Sequence, residues 1–335
     1  MAEEHIHSDV LIVGAGIAGL TAARSLADAG LRAVVVEKEE RVGGRLATLE
    51  MGGGRADHGA QFFTVRNPEF QSWVNRWLDE GLVFEWSRGW SSGSLSAVPF
   101  DGNPRYAIRG GMTALAEHLA AGLDVRQNVR LVAVARHLDS WLGLDEKGRI
   151  YTAPTALLTP PVPLALQLLT TGQVALTETD RAALQEIEYE PCLAGIFWLN
   201  GPVNLPEPGA VQRLNAPIAW IADNRRKGLS PEATVITVQA GASYSRELWR
   251  LPDWEALVAL ESGLALFKEM TVEVIEARLA RWPYAMPIRT HPDRYLRAAN
   301  LPLLVFAGDA FGSPRVEGAA LSGLMAARAL VAQAR

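Results

Sequence analysis

A single cysteine, Cys192, stands in a chain of 335 residues. Neither an internal disulfide nor a cysteine-based metal cluster can form, and a reducing compartment, the cytoplasm, is expected. Excess basic charge is absent: 32 Lys and Arg against 37 Asp and Glu leave a net charge of −5. No positive field exists to hold a nucleic-acid backbone or an anionic membrane, so neither is expected as a partner. Histidine is scarce, with six in the chain. Two of these, His5 and His7, sit in an N-terminal segment that reads as a flexible end, and no metal site is expected. The GxSxG, HExxH and CxxC patterns are missing, which leaves hydrolase, zincin and thiol-redox chemistry without support. Internal repeats and low-complexity tracts are missing as well.

Long uninterrupted apolar helices are also lacking. The stretch Asp9 to Leu20 follows the acidic Glu3-Glu4 instead of a basic segment, unlike a signal peptide. The uncharged run from Ile150 to Thr177 has the length of a membrane span, but Pro154, Pro160, Pro161 and Pro163 would break it. It reads as a strand, a turn and a short helix, and no membrane anchor is expected. What remains, 49% hydrophobic and 21% charged, is a globular chain long enough for two compact units with a large core.

Periodicity gives an α/β order. Val10 to Val13 is a short apolar run ending at Gly14, Ile17 to Ala29 has helical composition, and Ala33 to Val36 is β-branched and ends at Glu37. Pro68 to Glu80 is an amphipathic helix with Phe70, Trp73, Val74 and Trp77 on one face. Trp86 to Pro104 reads as short strands and loops, and Gly111 to Ala121 as a helix. Strands are expected within Val125 to Leu144 and Ile150 to Leu158, separated by a turn at Glu146-Lys147-Gly148. Beyond Glu178, helices (Glu178 to Ile187, Trp254 to Glu269) alternate with strands (Leu193 to Leu199, Ile218 to Ala222, Thr234 to Gln239). A strand at Leu303 to Ala307 and a final helix from Val316 to Ala334 follow.

The first chemical motif is Gly14-Ala15-Gly16-Ile17-Ala18-Gly19, with Glu37 at the tip of the next strand. A glycine-rich turn can serve packing alone, yet here it follows a strand, opens a helix and is completed by an acid, which is the arrangement a dinucleotide needs. Gly14 permits the tight turn, Gly16 the approach of backbone to pyrophosphate, and Gly19 close helix–strand packing. The helix N-terminus offers free N–H groups to phosphate, and Glu37 would accept from ribose hydroxyls.

A second glycine pair follows in Arg41-Val42-Gly43-Gly44-Arg45, just after Glu37 and Lys38. It reads either as a surface turn or as a second close approach to the cofactor. Near the far end, Val305-Phe306-Ala307-Gly308-Asp309 is a strand ending in Gly-Asp, and Arg315-Val316-Glu317-Gly318-Ala319 opens the last helix. Asp309 could bond a ribityl hydroxyl or cap a helix, and the helix N-terminus would face a flavin pyrimidine and favour its reduced, anionic form.

Together with Ala56-Asp57-His58-Gly59-Ala60-Gln61-Phe62-Phe63-Thr64 and Arg281-Trp282-Pro283-Tyr284-Ala285-Met286-Pro287, these strings resemble the renalase-like branch of the flavin amine oxidase superfamily. The likeness covers both ends of the chain and reaches the middle by texture, as in Ala219 to Asn224 followed by Lys227. The resemblance implies a Rossmann-like FAD-binding domain of the p-hydroxybenzoate hydroxylase and amine oxidase type, with an interleaved mixed-sheet α+β substrate domain. The FAD domain is expected at 1–66, 105–162 and 285–335, and the substrate domain at 67–104 and 163–284. FAD would be noncovalent, with contacts from residues 14–19, Glu37, Lys38, Gly43, Gly44, Arg45, His58, Gly59, Ala60, Gln61, Phe62, Gly308, Asp309, Arg315, Val316, Glu317 and Ala319, and from the backbone of Val129.

The implied reaction is oxidation of 2- and 6-dihydro isomers of NAD(P), with hydride passing to flavin N5 and oxygen as acceptor. Oxidation of a small amine, and a flavoprotein isomerase or redox-silent FAD-binding protein, are the alternatives. Substrate-pocket candidates are Phe62, Trp220, Gln239, Trp282 and Tyr284, of which Trp220, Trp282 and Tyr284 would form an aromatic surface suited to a flat nicotinamide. Gln239 stands where relatives carry a histidine, and no lysine stands on the strand Leu193 to Leu199, where amine oxidases usually place one near N5. Lys227 is expected in a surface loop, and His58 either near the flavin or packed beside Gly59.

Overall fold

The computed structural model describes residues 5–93 and 102–334. The chain falls into two compact units, one of Met1–Gly44, Ala116–Tyr189 and Met286–Arg335, the other of Arg45–Leu115 and Glu190–Ala285.

The first unit is built on a six-stranded sheet ordered Leu296–Arg297, Leu304–Phe306, Thr155–Leu158, Val10–Val13, Ala33–Val36, Asp124–Arg126. All neighbours pair in parallel except the two-residue edge strand Leu296–Arg297. Val10–Val13 is buried throughout, as expected for a parallel strand covered on both faces. A four-stranded sheet of His5–His7, Ile150–Ala153, Ser140–Asp145 and Leu131–His137 packs against it, and a Cβ at Gly143 would lie 3.0 Å from the Leu11 side chain. Helices Ile17–Asp28 and Arg315–Ala334 lie against each other so closely that a Cβ on Gly323 would fall 2.0 Å from the Ala18 carbonyl oxygen. Glycine is required there because the approach is backbone to backbone.

The second unit carries a five-stranded sheet ordered Ala210–Gln212, Ile218–Asp223, Thr234–Ala240, Glu188–Leu199, Val274–Arg289. The hairpin Thr48–Met51/Gly54–Asp57 turns at Gly52 and Gly53, whose φ values of +60° and +77° are those of the tight turn that suits strand twist. A second hairpin pairs Val83–Ser87 with Arg105–Ile108. Helix Pro68–Asp79 begins where Asn67 accepts from the amide of Glu69 at 2.9 Å. It buries Phe70, Val74 and Trp77.

The expected elements recur with shifted ends, and several features differ. His5–His7, expected in a flexible end, is a strand paired in parallel with Ile150–Ala153. The helix expected from Trp254 to Glu269 stops at Glu261 and tightens into a short turn, Ser262–Leu264, where Gly263 fits against Ile218. The Arg281–Pro287 motif lies within the long strand Val274–Arg289, which the prolines had concealed. Val125 to Leu144 is three strands, broken at the positive-φ residues Asn128 and Leu138. The units also divide differently from the expected 66, 104, 162 and 284. Residues 45–66 and 105–115 join the second unit through the hairpin and the Thr48–Thr113 hydrogen bonds. Residues 163–189 join the first, where helix Val162–Thr171 ends in Gly172 against Val134.

Of the segment Trp86 to Pro104, residues 94–101 lie outside the described residues. Among the described residues, no helix is long and apolar enough to cross a membrane.

Candidate functional site

Both glycine motifs converge in the first unit. Gly14 turns with φ +97°, and a Cβ on Gly19 would fall 2.0 Å from the Gly14 carbonyl oxygen, so these two glycines serve the turn and the helix packing. Gly16 is different. It caps helix Ile17–Asp28 without a side-chain hydrogen bond, and a Cβ there would meet nothing within 4 Å. The first amides of that helix therefore open onto free space beside Gly16. Gly43 donates to the Ala15 carbonyl at 2.8 Å, and Gly44, at φ +56°, would bring a Cβ to 3.8 Å from the Gly16 Cα. The second pair is thus part of the first motif's surroundings and not an isolated turn.

Glu37 is buried at the end of its strand. Its carboxylate accepts from the Ala15 amide at 2.8 Å and from the Glu39 amide at 3.0 Å. A carboxylate has room for about four hydrogen bonds, so capacity for ribose hydroxyls remains. Val129 is buried beside it, its amide donating to the Glu37 carbonyl at 2.8 Å. That amide is spent, which leaves the Val129 carbonyl as the backbone group available to an adenine. Lys38 turns outward and pairs with Glu39 at 3.1 Å.

At the far end of the unit, Gly308 (φ +144°) donates to the Ser322 hydroxyl at 2.8 Å, which ties the Gly-Asp turn at Gly308-Asp309 to the last helix. Arg315, first residue of that helix, has φ +89°, a conformation that costs a non-glycine residue about 1–3 kcal/mol. Val316 and Ala319 are buried behind it.

The second unit places the remaining candidates around one buried ion pair. Lys227 Nζ lies 2.6 Å from Asp57 Oδ2 and donates to the Gln61 carbonyl at 2.6 Å, with both charged side chains fully shielded from solvent. The Trp86 ring faces the ammonium with its centroid 4.7 Å away. Asp57 Oδ1 accepts from the Thr48 hydroxyl at 2.5 Å and the Met112 amide at 2.8 Å. Burial pulls the Lys227 ammonium below its ordinary value, and the Asp57 charge opposes that shift. The expected surface-loop position of Lys227 is therefore wrong. The polar run Asp223 to Arg226 conceals it in the sequence, while Asp57, its partner, lies 170 positions away.

This pair anchors the segment 57–62. Asp57 and Gly59 present carbonyls to Gln61 Nε2 at 2.7 Å and 3.3 Å, and Ala60 donates to the Arg45 carbonyl at 2.8 Å. A Cβ on Gly59 would fall 2.1 Å from that same oxygen. The side-chain amide of Gln239, a substrate-pocket candidate, donates to the Gly59 carbonyl at 2.8 Å and so braces this turn. His58 stacks on Trp282, with centroids 5.4 Å apart, and its carbonyl accepts from the Trp282 indole at 3.0 Å. Burial lowers the His58 imidazole to about 4 against the pull of Asp57, so it is neutral at pH 7. Its Nδ1 and Gln61 Oε1 are buried without partners.

The aromatic candidates are distributed over this unit. Trp220 packs edge to face on Trp86 and Trp90, with Phe62 5.5 Å away, in a cluster whose members Trp86 and Trp90 the sequence reading did not single out. Trp282 belongs to His58 instead. The Tyr284 carbonyl accepts from Arg45 at 3.0 Å. Cys192 lies in strand Glu188–Leu199, and burial pushes its thiol up to about 12. No group of three or more His, Cys, Asp or Glu able to hold a metal ion occurs among the described residues.

An open glycine cradle at an uncapped helix N-terminus, completed by a buried acid with unused acceptor capacity, fits the pyrophosphate and ribose of a dinucleotide. Comparison with known proteins agrees. A family model described as "NAD(P)-binding Rossmann-like domain" matches residues 12–79, and one described as "Flavin containing amine oxidoreductase" matches residues 79–331. The chain belongs to the flavin-containing amine oxidoreductase family, and its cofactor is FAD.

Among curated proteins, the L-amino-acid oxidase of Siganus canaliculatus is 45% identical over 82 residues, 23% of this chain and 15% of that protein. The phytoene dehydrogenase of Streptomyces griseus is 52% identical over 56 residues, 17% of this chain and 11% of that protein. These matches thus span a small part of each relative's length. Putrescine oxidase, in its wild-type form bound to putrescine, shares the fold with a TM-score of 0.67 at 15% identity, covering 98% of this chain and 100% of that one.

Proposed function

We propose that the protein is an FAD-dependent oxidoreductase of the renalase-like type, oxidising 2- and 6-dihydro isomers of NAD(P) in the cytoplasm with oxygen as electron acceptor. When bound, FAD supplies the two-electron acceptor, taking hydride at N5. The chain's own residues bind and position. The Gly14–Gly19 turn, Gly43, Gly44, Glu37 and the Val129 carbonyl are assigned to the dinucleotide. In the second unit, Arg45 and the segment His58 to Phe62 are assigned as flavin contacts, and in the first unit the turn before the last helix is. Burial holds the His58 imidazole in its neutral form, and a hydride transfer needs no proton from it.

One observation favours a dihydronicotinamide over an amine. An ammonium ion at neutral pH is best paired by an unneutralised carboxylate. The buried carboxylate next to the segment His58 to Phe62, Asp57, is already neutralised by Lys227. The family and the fold accommodate amine oxidation, which is the second reading. Anaerobic stopped-flow absorbance of the flavin band separates them. Rapid bleaching by 2- or 6-dihydro-NAD(P), with slow or no bleaching by 4-dihydro-NADH and primary amines, is expected, since a ring carbon misplaced by about 1 Å costs on the order of a hundredfold in rate. Bleaching by an amine alone would select the second reading, and bleaching by neither would leave a redox-silent or isomerising flavoprotein.

A further inference from the structure

The second unit holds a cavity that the site above does not use. It is an open depression of about 340 Å³ lined by Pro191, the exposed Arg246 and Arg250, Trp249 and Pro283. Arg246 lies in helix Ala242–Leu248, and Trp249, the residue after it, keeps helical dihedrals, so Arg250 follows about one turn beyond Arg246 on the same side. Neither guanidinium makes an ion pair or a side-chain hydrogen bond among the described residues, and no acidic side chain lines the cavity. The neighbouring Arg281 shows the contrast, since it is paired with Asp253 and with the Leu251 carbonyl. Two unpaired guanidiniums present planar forks of N–H donors suited to phosphate oxygens. The Trp249 indole adds flat aromatic surface of the kind on which a nucleobase stacks, flanked by the apolar Pro191 and Pro283.

Along the chain, residues of this cavity neighbour residues of the candidate site. Pro283 directly follows Trp282, the ring stacked on His58. Helix Ala242–Leu248 begins three residues after Gln239, the side chain that braces Gly59. Pro191 precedes Cys192, whose thiol lies 3.7 Å from the Ala240 carbonyl oxygen.

We infer that this cavity is a binding site for a phosphorylated nucleotide, held by Arg246 and Arg250 at its phosphates and by Trp249 at its base. On the reading proposed above, on which this assignment of the ligand rests, the occupant is the phosphate-bearing half of the dinucleotide substrate, opposite in charge to a cationic amine.

The test uses FAD-loaded protein, so that the cofactor site is filled, and ADP as the probe, with adenosine as its phosphate-free control. Calorimetric titration is expected to show ADP binding, much weaker binding of adenosine, and a loss of ADP affinity of about tenfold or more in the R246A/R250A double variant. In turnover, the double variant is expected to raise KM for 6-dihydro-NAD by a similar factor with kcat nearly unchanged. The phosphate-free dihydronicotinamide riboside should behave alike in both proteins. ADP affinity and KM that do not change in the double variant would overturn the site while leaving the proposed activity intact. Arginine-dependent ADP binding in a protein whose flavin no dihydronicotinamide reduces would support the site and overturn the activity. Competition by ADP against 6-dihydro-NAD assigns the site to the substrate, and noncompetitive inhibition assigns it to a separate nucleotide.

Discussion

Lys227 and Asp57 form an ion pair at 2.6 Å with neither side chain reaching solvent, and the Gln61 carbonyl and the Trp86 ring complete the surroundings of the ammonium. Such a pair is weak evidence for added stability, because desolvation offsets much of the attraction. Its role here is to fix where the segment 57–62 lies.

Replacing Lys227 with Met should destabilise the protein by about 3–5 kcal/mol, because the Asp57 carboxylate is left buried without its partner. The double variant K227M/D57N removes the orphaned charge and should recover a large part of that loss. Urea unfolding of the wild type, both single variants and the double variant measures the coupling. Additive losses would show that the two charges do not depend on each other.

The His58 imidazole gives stability a defined pH dependence. Its folded value, about 4, lies below the ordinary 6.5, so the unfolded chain binds the proton more readily between those limits. Stability should therefore be complete above pH 6.5 and fall as the pH drops toward 4, by up to about 3 kcal/mol. Unfolding midpoints at pH 7.5 and 4.5, compared between the wild type and His58→Gln, isolate this share. An equal fall in both proteins would assign it to other groups.

Gly16→Ala and Gly19→Ala should separate binding from folding. A Cβ at Gly16 meets nothing, whereas one at Gly19 meets the Gly14 carbonyl oxygen at 2.0 Å. Gly16→Ala should leave the FAD-free protein within about 0.5 kcal/mol of the wild type. It should still weaken FAD binding about tenfold or more, since a hydrogen bond to phosphate contributes about 1.5 kcal/mol or more. Gly19→Ala should lower the thermal midpoint of the FAD-free protein itself. Fluorescence of released FAD, together with a thermal melt, reads both effects.

Glu37→Gln keeps the side chain's size and removes its charge. Charge-assisted hydrogen bonds contribute about 1.5–3 kcal/mol each, so FAD affinity should fall at least about tenfold. The gain of an amide donor beside the Ala15 and Glu39 amides adds to the loss. Unchanged affinity in equilibrium dialysis would show that the ribose is held elsewhere.

The glycine turn, its strand and its acid were legible in the sequence because their determinants are local. Val10–Val13, Gly14, Gly16, Gly19 and Glu37 act through backbone geometry within one β-α-β unit, and there residue type alone specifies conformation. Trp282 and Gln239 could be named as candidates, but their roles could not. The choice between facing a substrate and bracing the carbonyls of His58 and Gly59 depends on which strands are neighbours.

Lys227 marks the point at which tertiary structure took over. In sequence it is a cation in a polar run, indistinguishable from the exposed Arg225. Its burial follows from tertiary pairing, which delivers a carboxylate and a carbonyl from the segment 57–62 and an indole from Trp86 to one point. The same holds for Arg246 and Arg250, whose lack of acidic partners is a property of their surroundings and not of their residue type. Local backbone preference determined the cofactor cradle, and long-range pairing decided which charges are neutralised and which are left free to meet a ligand.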